Sequence, residues 1–456
     1  MALQSINPAN AELIEAFDEL SDNAIDNKLN LSLQTYSNWR NYPYSKRAEL
    51  FMRLAVLLKS ETDNYAKIIS MEMGKPLAQA IAEVEKCAWV CEYYAQNAEA
   101  MLANRKIDAT AYKTYVRHDP IGPVMAIMPW NFPFWQVFRF AAPNLMAGNV
   151  SILKHASNVP QCGIAIEKLF MDAGFDDGAF INLLIGSSKA EQVIKDERIK
   201  AVTLTGSEQA GKAVASAAGS ALKKCVLELG GSDPFIVLED ADLEKAAKIA
   251  AQARLVNSGQ TCIASKRFIV TKNIANEFAE LFMKNLATFK VGDPMEPDTS
   301  VGPMARIEFC KDLDLQIEGS LKQGAEVLYK SEIPEGKGYY YPVTLLSNVT
   351  PQMPVGCEET FGPVAALLVA VNEQDAIKIA NNTKFGLASS IWSNDLEKAE
   401  SIAAKIDAGC VFINDLPKSD PRIPFGGTKM SGFGRELSIE GIKEFVNIKS
   451  VLVEKT

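Results

Sequence analysis

Residues 124–154 read VMAIMPWNFPFWQVFRFAAPNLMAGNVSILK, two short apolar runs separated by an apolar helical pattern. We predict a strand over Val124–Met128, a helix over Phe134–Ala147 and a strand over Val150–Lys154. The same alternation continues to residue 229. It predicts strands over Phe180–Leu184, Ala201–Leu204 and Cys225–Leu229, and helices over Gln161–Ala173, Ser188–Lys195 and Gln209–Gly219. Strands that alternate with helices in this way form a parallel sheet with helices on both faces.

A second alternating series begins after Gly231. It predicts strands over Pro234–Leu238, Arg267–Thr271, Val364–Val371, Ala388–Trp392 and Gly409–Asn414, and helices over Leu243–Val256, Ala275–Ala287, Glu373–Asn381 and Leu396–Lys405. The predicted fold class is α/β with two doubly wound parallel-sheet lobes that meet near Gly230 and Gly231. Residues 1–105 have apolar positions at helical spacing and are predicted to be helical. We predict no helix or strand in the Pro- and Gly-rich stretches 292–304 and 334–363. Ile442–Glu454 is predicted to be a final strand.

The composition is that of an ordinary globular protein. The chain has 456 residues, 48% of them hydrophobic, and a net charge of −9. An acidic chain without a basic block is a poor candidate for binding nucleic acid or an anionic membrane. Pro120–Phe138 carries no charge, yet its four prolines would strip too many backbone hydrogen bonds from a lipid-exposed helix. We therefore expect buried, irregular backbone there and no membrane span.

Histidine and cysteine usage argues against a metal site. The chain has two histidines and eight cysteines, and the cysteines lack metal-ligand spacing. Free thiols in a reducing compartment are the simpler interpretation. The N-terminus has no basic stretch followed by an apolar run, so it does not resemble a secretory signal. We expect a cytoplasmic protein without a bound metal.

Three residues stand in settings that suit catalysis. Cys262 follows Asn-Ser-Gly-Gln-Thr at the end of a predicted helix, which favours an accessible loop thiol over a buried structural cysteine. Glu228 ends an apolar strand, where burial would raise the pKa of its carboxyl and suit a general base; a surface edge charge is the alternative. Asn131 lies between Pro129 and Pro133 among aromatic residues. Its rigid amide would support an oxyanion, or cap the following helix, or both.

Two further features indicate ligand binding. The turn at 205–211 joins a strand to a helix, where backbone N–H groups favour an anion such as phosphate. Arg139 is the lone charge on an otherwise apolar helix. A buried arginine is costly unless it is paired, so its partner is either an internal acid or a substrate carboxylate.

Taken together, these segments resemble the aldehyde dehydrogenase superfamily over essentially the whole chain. The motifs that carry the resemblance are PWNFP at 129–133, TGS at 205–207, LELGGSDP at 227–234, GQTC at 259–262, EETFGPV at 358–364 and PFGGTKMSGFGRE at 424–436. The resemblance implies that Cys262 attacks an aldehyde, that hydride passes to a nicotinamide, and that Glu228 activates water to release the acid. Asn131 would hold the oxyanion together with the Cys262 backbone N–H.

The same resemblance implies a set of cofactor contacts. Glu359 would bind the nicotinamide ribose with Phe361 nearby, and Ser207 would meet the pyrophosphate. The full predicted set is Trp130, Lys154, Ser157, Gly206, Ser207, Leu229, Glu359 and Phe361. The family's Lys-Pro-x-Glu segment reads Lys154-His155-Ala156-Ser157 here. A glutamate at that place would repel a 2′-phosphate, whereas Ser157 can hydrogen-bond it beside Lys154. We expect NADP as the preferred cofactor and NAD as the alternative.

Within the family, the pattern is most similar to that of succinate-semialdehyde dehydrogenases. Arg139 lies eight residues after Asn131, where their substrate-binding arginine stands, and Ser419 precedes PFGG as their serine does. Val256 occupies the place of a further arginine found in some members, and Arg254 is two residues earlier. The resemblance implies oxidation of succinic semialdehyde to succinate.

The resemblance also implies a domain division and an assembly. A cofactor-binding domain would cover 1–107 and 123–229, a catalytic domain 230–428, and a small oligomerisation arm 108–122 and 438–456. The family is usually dimeric or tetrameric, so we expect a homodimer or homotetramer.

Three alternatives stay open. A thiol hydrolase or acyltransferase would use Cys262 without a nicotinamide, although the turn at 206–211 and Glu359 count against it. A non-catalytic binding protein would have no use for Cys262, Glu228 and Asn131 together. Within the family, glutarate semialdehyde or aliphatic aldehydes are rival substrates, because one methylene in a pocket is worth only about 1–3 kcal/mol.

Overall fold

The computed structural model describes residues 3–455. Its α-helices are α1 (Asp22–Trp39), α2 (Tyr44–Ser60), α3 (Thr62–Met73), α4 (Leu77–Met101), α5 (Trp135–Met146), α6 (Pro160–Asp172), α7 (Ser187–Lys195), α8 (Glu208–Ser220), α9 (Leu243–Leu255), α10 (Ala275–Leu286), α11 (Ile307–Leu321), α12 (Pro354–Cys357), α13 (Glu373–Asn381), α14 (Leu396–Ala403) and α15 (Ser438–Ile442). Its strands are β1 (Leu3–Asn7), β2 (Glu12–Phe17), β3 (Arg105–Ile107), β4 (Lys113–Pro120), β5 (Pro123–Met128), β6 (Val150–His155), β7 (Phe180–Asn182), β8 (Ala201–Thr205), β9 (Lys224–Glu228), β10 (Asp233–Val237), β11 (Ser265–Thr271), β12 (Glu326–Lys330), β13 (Thr344–Ser347), β14 (Val364–Ala370), β15 (Ala388–Trp392), β16 (Cys410–Ile413), β17 (Gly432–Phe433) and β18 (Val446–Val453). Short 3₁₀ turns cover Val256–Gly259, Lys272–Ile274 and Lys429–Ser431.

Six strands form the first sheet, in the order β17–β9–β8–β5–β6–β7. Neighbours are parallel except β17, which pairs antiparallel with β9. Every side chain of β6 and β8 is buried, as expected for parallel strands that are covered on both faces. After β5 the chain adds β6 and β7 on one side and then β8 and β9 on the other. Ligands of such sheets bind at this reversal, beyond the carboxyl ends of the strands.

Seven strands form the second sheet, in the order β12–β13–β14–β11–β10–β15–β16. Its pairs are parallel apart from β12, which runs antiparallel to β13. The chain leaves the first sheet at Glu228 and enters the second at Asp233. Gly230 and Gly231 therefore lie at the crossover, and the prediction of two α/β lobes is confirmed.

A third sheet joins two segments that are far apart in sequence. Strand β18 pairs antiparallel with β4 along its whole length, and β3 adds to the other edge of β4. The predicted strand Ile442–Glu454 is shorter in the structure, because Ser438–Ile442 forms α15. Residues 1 and 2 of the predicted cofactor-binding domain and residue 456 of the predicted arm lie outside the described residues.

The helical prediction for residues 1–105 holds for α1 to α4 but is wrong for residues 3–17. Strands β1 and β2 form an antiparallel hairpin there. Its turn is held by the side chain of Asn7, which accepts from the Ala9 N–H at 3.0 Å, and by that of Asn10, which accepts from the Glu12 N–H at 3.0 Å. These local side-chain hydrogen bonds stabilise the turn of the hairpin, and the helical spacing of apolar residues does not reveal them.

The stretch from 292 to 363 contains elements that sequence patterns did not predict. Helix α11 and strand β12 lie between the two Pro- and Gly-rich stretches, and β13 and α12 lie inside the second. Pro354 is tolerated because it stands in the first turn of α12, where its missing N–H has no intrahelical partner to lose.

Among residues 3–455, no helix combines the length and the apolar character that crossing a membrane requires. The uncharged stretch at 120–138 instead supplies β5 and the start of α5, and every side chain of α5 is buried.

Candidate active site

The first sheet places several predicted residues at one edge. Trp130 and Asn131 follow β5, Lys154 lies near the end of β6, Ser207 follows β8, and Glu228 ends β9. These four strands are parallel neighbours, so their carboxyl ends meet at the same edge. The sequence motifs that carry these residues are therefore brought together by the sheet.

Cys262 lies at the end of a left-handed turn. Asn257, Ser258 and Gly259 have φ values of 53°, 56° and 75°, so the chain reverses sharply after α9. A Cβ on Gly259 would overlap the carbonyl group of Gly362 and approach Arg254 Nη2 at 2.8 Å. Only glycine fits this position, which explains why Gly259 precedes the cysteine.

The strained turn is held by hydrogen bonds from outside it. Asn257 Nδ2 donates to the Asn131 carbonyl at 2.7 Å, and its backbone N–H donates to Gln79 Oε1 at 2.7 Å. The Ser258 hydroxyl donates to the Gly302 carbonyl at 3.1 Å. Strain of this kind persists only where surrounding contacts over-determine the backbone, and it is common at functional sites.

Two buried cations that sequence patterns missed also hold this turn. Arg254 Nη2 donates to the Gly259 carbonyl at 2.7 Å, so Arg254 supports the turn and does not line the substrate pocket. Lys266 Nζ donates to the carbonyl oxygens of Thr261, at 3.1 Å, and Cys262. The backbone of the cysteine is thereby fixed from both sides.

Asn131 does not cap the following helix. Helix α5 begins four residues later, at Trp135, and the N–H groups of Phe134 and Trp135 donate to Glu83 Oε1 at 2.9 Å each. The Asn131 Nδ2 donates to the Gln260 carbonyl at 2.9 Å, two residues before Cys262. An amide nitrogen carries two hydrogens, so the second hydrogen of Asn131 is not used by this bond.

Cys262 is partly exposed and lines a cavity of about 290 Å³. Burial raises the pKa of its thiol to about 12, and the positive charges of Lys266 and then Arg139 oppose that rise. Desolvation disfavours a thiolate, whereas nearby cations favour it. Ionisation of this sulfur thus depends on how the surrounding cations are arranged.

Glu228 is buried, as its place in the sequence predicted. Within residues 3–455 neither of its carboxyl oxygens has a hydrogen-bond partner. Burial, and next the like charge of Glu436, raise the pKa of Glu228 well above its ordinary value, while Arg139 opposes them. An unpartnered carboxyl with a raised pKa suits a general base or acid near neutral pH.

Arg139 has an internal acid as its partner. Its guanidinium forms a buried ion pair with Glu436 and donates to Thr205 Oγ1 at 3.2 Å. The same group lies 4.8 Å from the centroid of the Phe425 ring and borders the cavity of Cys262. The internal-acid alternative is therefore observed, and Arg139 still lines the pocket in which a substrate carboxylate would lie.

The cavity of Cys262 has both apolar and polar lining. Its apolar lining includes Phe132, Trp135, Val256, Ile263, Leu416 and Phe425, and its polar lining includes Gln79, Glu83, Lys86, Gln136, Arg139, Lys418 and Ser419. Ser419, which we predict to bind substrate, thus lines the same cavity as Cys262. Sequence patterns missed Lys86, whose Nζ donates to Ser419 Oγ at 2.8 Å. The sequence signal that could have placed Lys86 at the cavity is helical spacing, since Gln79, Ala82 and Lys86 share a face of α4.

Glu359 and Phe361 lie on the other side of the cysteine turn. Glu359 Oε1 accepts from the Gly231 N–H at 3.0 Å, and a Cβ on Gly230 would collide with the same carboxylate. The Phe361 and Trp130 rings meet edge to face at 5.8 Å. Glu359 and Phe361 border a cavity of about 460 Å³. A carboxylate held over close-packed glycine backbone beside aromatic rings fits the ribose end of a dinucleotide.

The remaining predicted cofactor residues follow the edge of the first sheet. Lys154 is buried, and Ser157, three residues on, is exposed beside a separate cavity of about 320 Å³. Gly206 donates its N–H to the Glu228 carbonyl at 3.0 Å, and Ser207 caps α8 by accepting from the Ala210 N–H at 3.3 Å. The buried side chain of Leu229 packs where a Cβ on Gly211 would lie. The N-terminus of α8 favours an anion such as a pyrophosphate.

His155 has a role that its sequence context did not reveal. Burial lowers the pKa of its imidazole to about 4, so the ring is neutral. Its Nδ1 accepts from the Ala156 N–H at 2.9 Å, and its Nε2–H donates to the Pro133 carbonyl at 2.9 Å. This ring therefore fixes the segment that carries Asn131 against strand β6.

Comparison with known proteins agrees with the site. The sequence pattern described as "Aldehyde dehydrogenase family" matches residues 1–451. A protein of Synechocystis sp. named "Probable succinate-semialdehyde dehydrogenase [NADP(+)]" is 49% identical over 99% of this chain and 100% of its own length. The succinate semialdehyde dehydrogenase [NAD(P)+] of Escherichia coli is 46% identical over 98% of this chain and 97% of its own. The crystal structure of succinic semialdehyde dehydrogenase from Streptococcus pyogenes in complex with NADP+ has a TM-score of 0.97 at 38% identity and covers both chains fully.

The family match spans residues 1–451, nearly the whole chain, and the relatives just named are 38–49% identical to it. The chain belongs to the aldehyde dehydrogenase family.

Proposed function

We propose that this protein oxidises succinic semialdehyde to succinate and reduces NADP. The observation that carries the proposal is the lining of the cavity of Cys262, which combines the thiol, apolar side chains, and the polar groups of Lys86, Arg139 and Ser419. A four-carbon substrate with an aldehyde at one end and a carboxylate at the other has use for each of these three kinds of group. Relatives named for this activity are 44–49% identical over the full length, which supports the same assignment.

The first chemical step belongs to Cys262. Its thiolate attacks the aldehyde carbon, and the carbonyl electron pair moves to oxygen to give a thiohemiacetal oxyanion. Asn131 Nδ2 and the Cys262 backbone N–H donate to that oxygen and lower the barrier. Lys266 and Arg139 favour the thiolate, because their charges lower the pKa that burial raises.

The cofactor would lie along the edge of the first sheet. Lys154 and Ser157 would hold the adenosine end, the N-terminus of α8 the pyrophosphate, and Glu359 the nicotinamide ribose. The chemistry that NADP supplies when bound is acceptance of hydride from the thiohemiacetal carbon, which leaves a thioester on Cys262.

Glu228 acts in the second half of the reaction. Its carboxylate takes a proton from water as the water oxygen attacks the thioester carbon. Collapse of that adduct breaks the carbon–sulfur bond and releases succinate and the Cys262 thiolate. Because the pKa of Glu228 is raised well above its ordinary value, the basic form is gained as the pH rises.

A steady-state screen tests the proposal. The purified protein is given succinic semialdehyde, glutarate semialdehyde, butanal and acetaldehyde, each with NADP and with NAD, and absorbance at 340 nm is followed. We expect the highest kcat/KM for succinic semialdehyde with NADP. Equal kcat/KM for the acid aldehyde and for butanal would contradict the proposed substrate, and a preference for NAD would contradict the proposed cofactor.

A broader aldehyde specificity is the second candidate. The aromatic walls of Phe132, Trp135 and Phe425 favour any short aliphatic chain. One additional methylene changes binding by only about 1–3 kcal/mol, so glutarate semialdehyde or an aliphatic aldehyde could turn over in the same pocket. The same screen separates the two candidates.

We also propose that the protein is a cytoplasmic homodimer or homotetramer that assembles through the sheet β18–β4–β3. Ile448 and Leu452 on β18 are about 60% exposed, which is unusual for large apolar side chains on one strand. Light scattering after size exclusion measures the subunit number, and charged substitutions at both positions should lower it. The eight cysteines are all free, which suits a reducing compartment.

A further inference from the structure

Lys86 is a pocket cation that lacks a counter-ion. It lies on the face of α4 that borders the cavity of Cys262. The other two cations of that lining are neutralised, Arg139 by Glu436 and Lys418 by Asp415. Within residues 3–455 the Lys86 ammonium forms no ion pair and donates instead to the Ser419 hydroxyl at 2.8 Å. The hydrogen-bond partner of this ammonium is therefore a neutral hydroxyl and not a carboxylate.

The position of this ammonium is fixed by its neighbours. It lies 4.3 Å from the centroid of the Trp135 ring, so an aromatic face supports it from one side. The Ser419 hydroxyl supports it from another, and that hydroxyl keeps its own hydrogen for donation. A carboxylate that entered here would meet an ammonium and a hydroxyl donor together.

Burial, and next the charge of Arg139, lower the pKa of Lys86 to about 8, while the charges of Asp420 and Glu83 oppose that shift. The nearby acids thus compensate the ammonium only in part. An anionic ligand would supply the missing compensation, as carboxylates do for buried cations elsewhere.

We propose that Lys86 binds the carboxylate of the substrate and selects aldehyde acids over uncharged aldehydes. Arg139, whose charge is already balanced by Glu436, is the weaker of the two cationic contacts for that carboxylate. The inference rests on the proposed function, because it assigns a residue to the carboxylate of that substrate. It adds a contact beyond Arg139 and Ser419, and it replaces the third arginine contact that this sequence lacks.

The test compares Lys86→Met with the parent on two four-carbon substrates, succinic semialdehyde and butanal. Methionine keeps the length of the side chain and removes its charge. We expect kcat/KM for succinic semialdehyde to fall about ten- to one-hundred-fold, as for loss of a hydrogen bond to a charged group. kcat/KM for butanal should stay within about twofold, because that substrate has no carboxylate. Lys86→Arg should keep most of the discrimination. An equal fall on both substrates, or no fall on either, would overturn the proposal.

Lys418→Met is the matched control, since Lys418 borders the same cavity but is exposed and paired with Asp415. Because its charge is already balanced, Lys418→Met should lower kcat/KM for succinic semialdehyde less than Lys86→Met does, and a selective loss equal to that of Lys86→Met would also overturn the assignment.

A second measurement separates this inference from the proposed function. Succinate is used as an inhibitor of butanal oxidation, so the readout does not require turnover of succinic semialdehyde. We expect its inhibition constant to rise about tenfold in Lys86→Met and in Lys86→Gln. If the parent protein showed no preference for succinic semialdehyde, the proposed function would be wrong. A higher inhibition constant of succinate in Lys86→Met would still support Lys86 as a carboxylate contact in that case. If the parent preferred succinic semialdehyde and Lys86→Met left the succinate constant unchanged, only the inference about Lys86 would be wrong.

Discussion

Gly259→Ala tests whether the turn before Cys262 requires glycine for space as well as for backbone angle. Gly259 has φ 75°, and an added Cβ would overlap the Gly362 carbonyl and come within 2.8 Å of Arg254 Nη2. The first of these obstacles is backbone of the segment 358–364, which cannot rotate away as a side chain can. The turn would have to withdraw from Gly362 by about 1 Å to restore ordinary contact distances.

The size of the effect follows from this displacement. A left-handed alanine costs about 1–2 kcal/mol, and losing the buried hydrogen bond from Arg254 to the Gly259 carbonyl costs about 1.5–3 kcal/mol more. For catalysis, the displacement of the turn that carries Cys262 matters more than the loss of folding stability. Misplacing a reacting group by about 1 Å lowers the rate about 10²-fold, and Cys262 lies three residues from the change. We expect kcat to fall by about that factor.

Two other glycines provide matched controls. Gly324 also has a positive φ, 103°, but nothing lies within 4 Å of its Cβ position, so Gly324→Ala reports the backbone cost alone. Gly219 lies in helix α8 with open space, so Gly219→Ala should be neutral or stabilising. Thermal unfolding and kcat are measured for all three variants, and alkylation of Cys262 by iodoacetamide is followed by peptide mass spectrometry. A Gly259→Ala protein with parental kcat and parental alkylation would refute the argument that the turn positions the sulfur.

Three further substitutions test the site. Ser157→Glu should shift the kcat/KM ratio from NADP toward NAD about ten- to one-hundred-fold, because a carboxylate repels a 2′-phosphate; an unchanged ratio in steady-state kinetics would contradict the role of Ser157. Glu228→Gln should slow steady turnover about 10²–10⁴-fold yet keep an initial burst of reduced cofactor at 340 nm, because the thioester forms but is not hydrolysed. Loss of that burst would indicate that Glu228 acts before the thioester forms. Glu436→Gln should move the acidic limb of the profile of kcat against pH to lower pH. The charge of Glu436 raises the pKa of Glu228, so its removal lets Glu228 reach the basic form at a lower pH, and an unmoved acidic limb would contradict this.

Two elements have the bounds that sequence patterns predicted, helix α13 (Glu373–Asn381) and strand β15 (Ala388–Trp392). Both carry a local signal. The side chain of Asn372 caps α13 by accepting from the Asp375 N–H, and every side chain of β15 is buried. The hairpin of β1 and β2 escaped prediction because few of its side chains are buried and its turn depends on hydrogen bonds from Asn7 and Asn10.

The same contrast applies to the site. Motif residues such as Cys262 and Glu228 were identifiable because their identity and their immediate neighbours carry the signal. Lys86 was not, because its partner Ser419 is 333 residues away and only the fold brings them together. Glu436 illustrates a second limit, since its motif was visible but its pairing with Arg139 was not. Local sequence thus predicts which side chains react, while the charges that tune them are set by contacts between distant segments.

Lys266 shows how such tuning connects two motifs that are far apart in the chain. Its ammonium donates to the carbonyl oxygens of Thr261 and Cys262 and lies 3.6 Å from Glu359 Oε1. Among the neighbouring charges it does most to lower the pKa of the Cys262 thiol. Glu359 is also the carboxylate we assign to the nicotinamide ribose, and its other contact is the Gly231 N–H. Lys266 therefore links the segment that carries Cys262 to the segment that carries Glu359, and the charge of Glu359 opposes the effect of Lys266 on the pKa of the thiol. Two motifs that are about 100 residues apart in the chain thus act on the ionisation of one sulfur through a single buried ammonium.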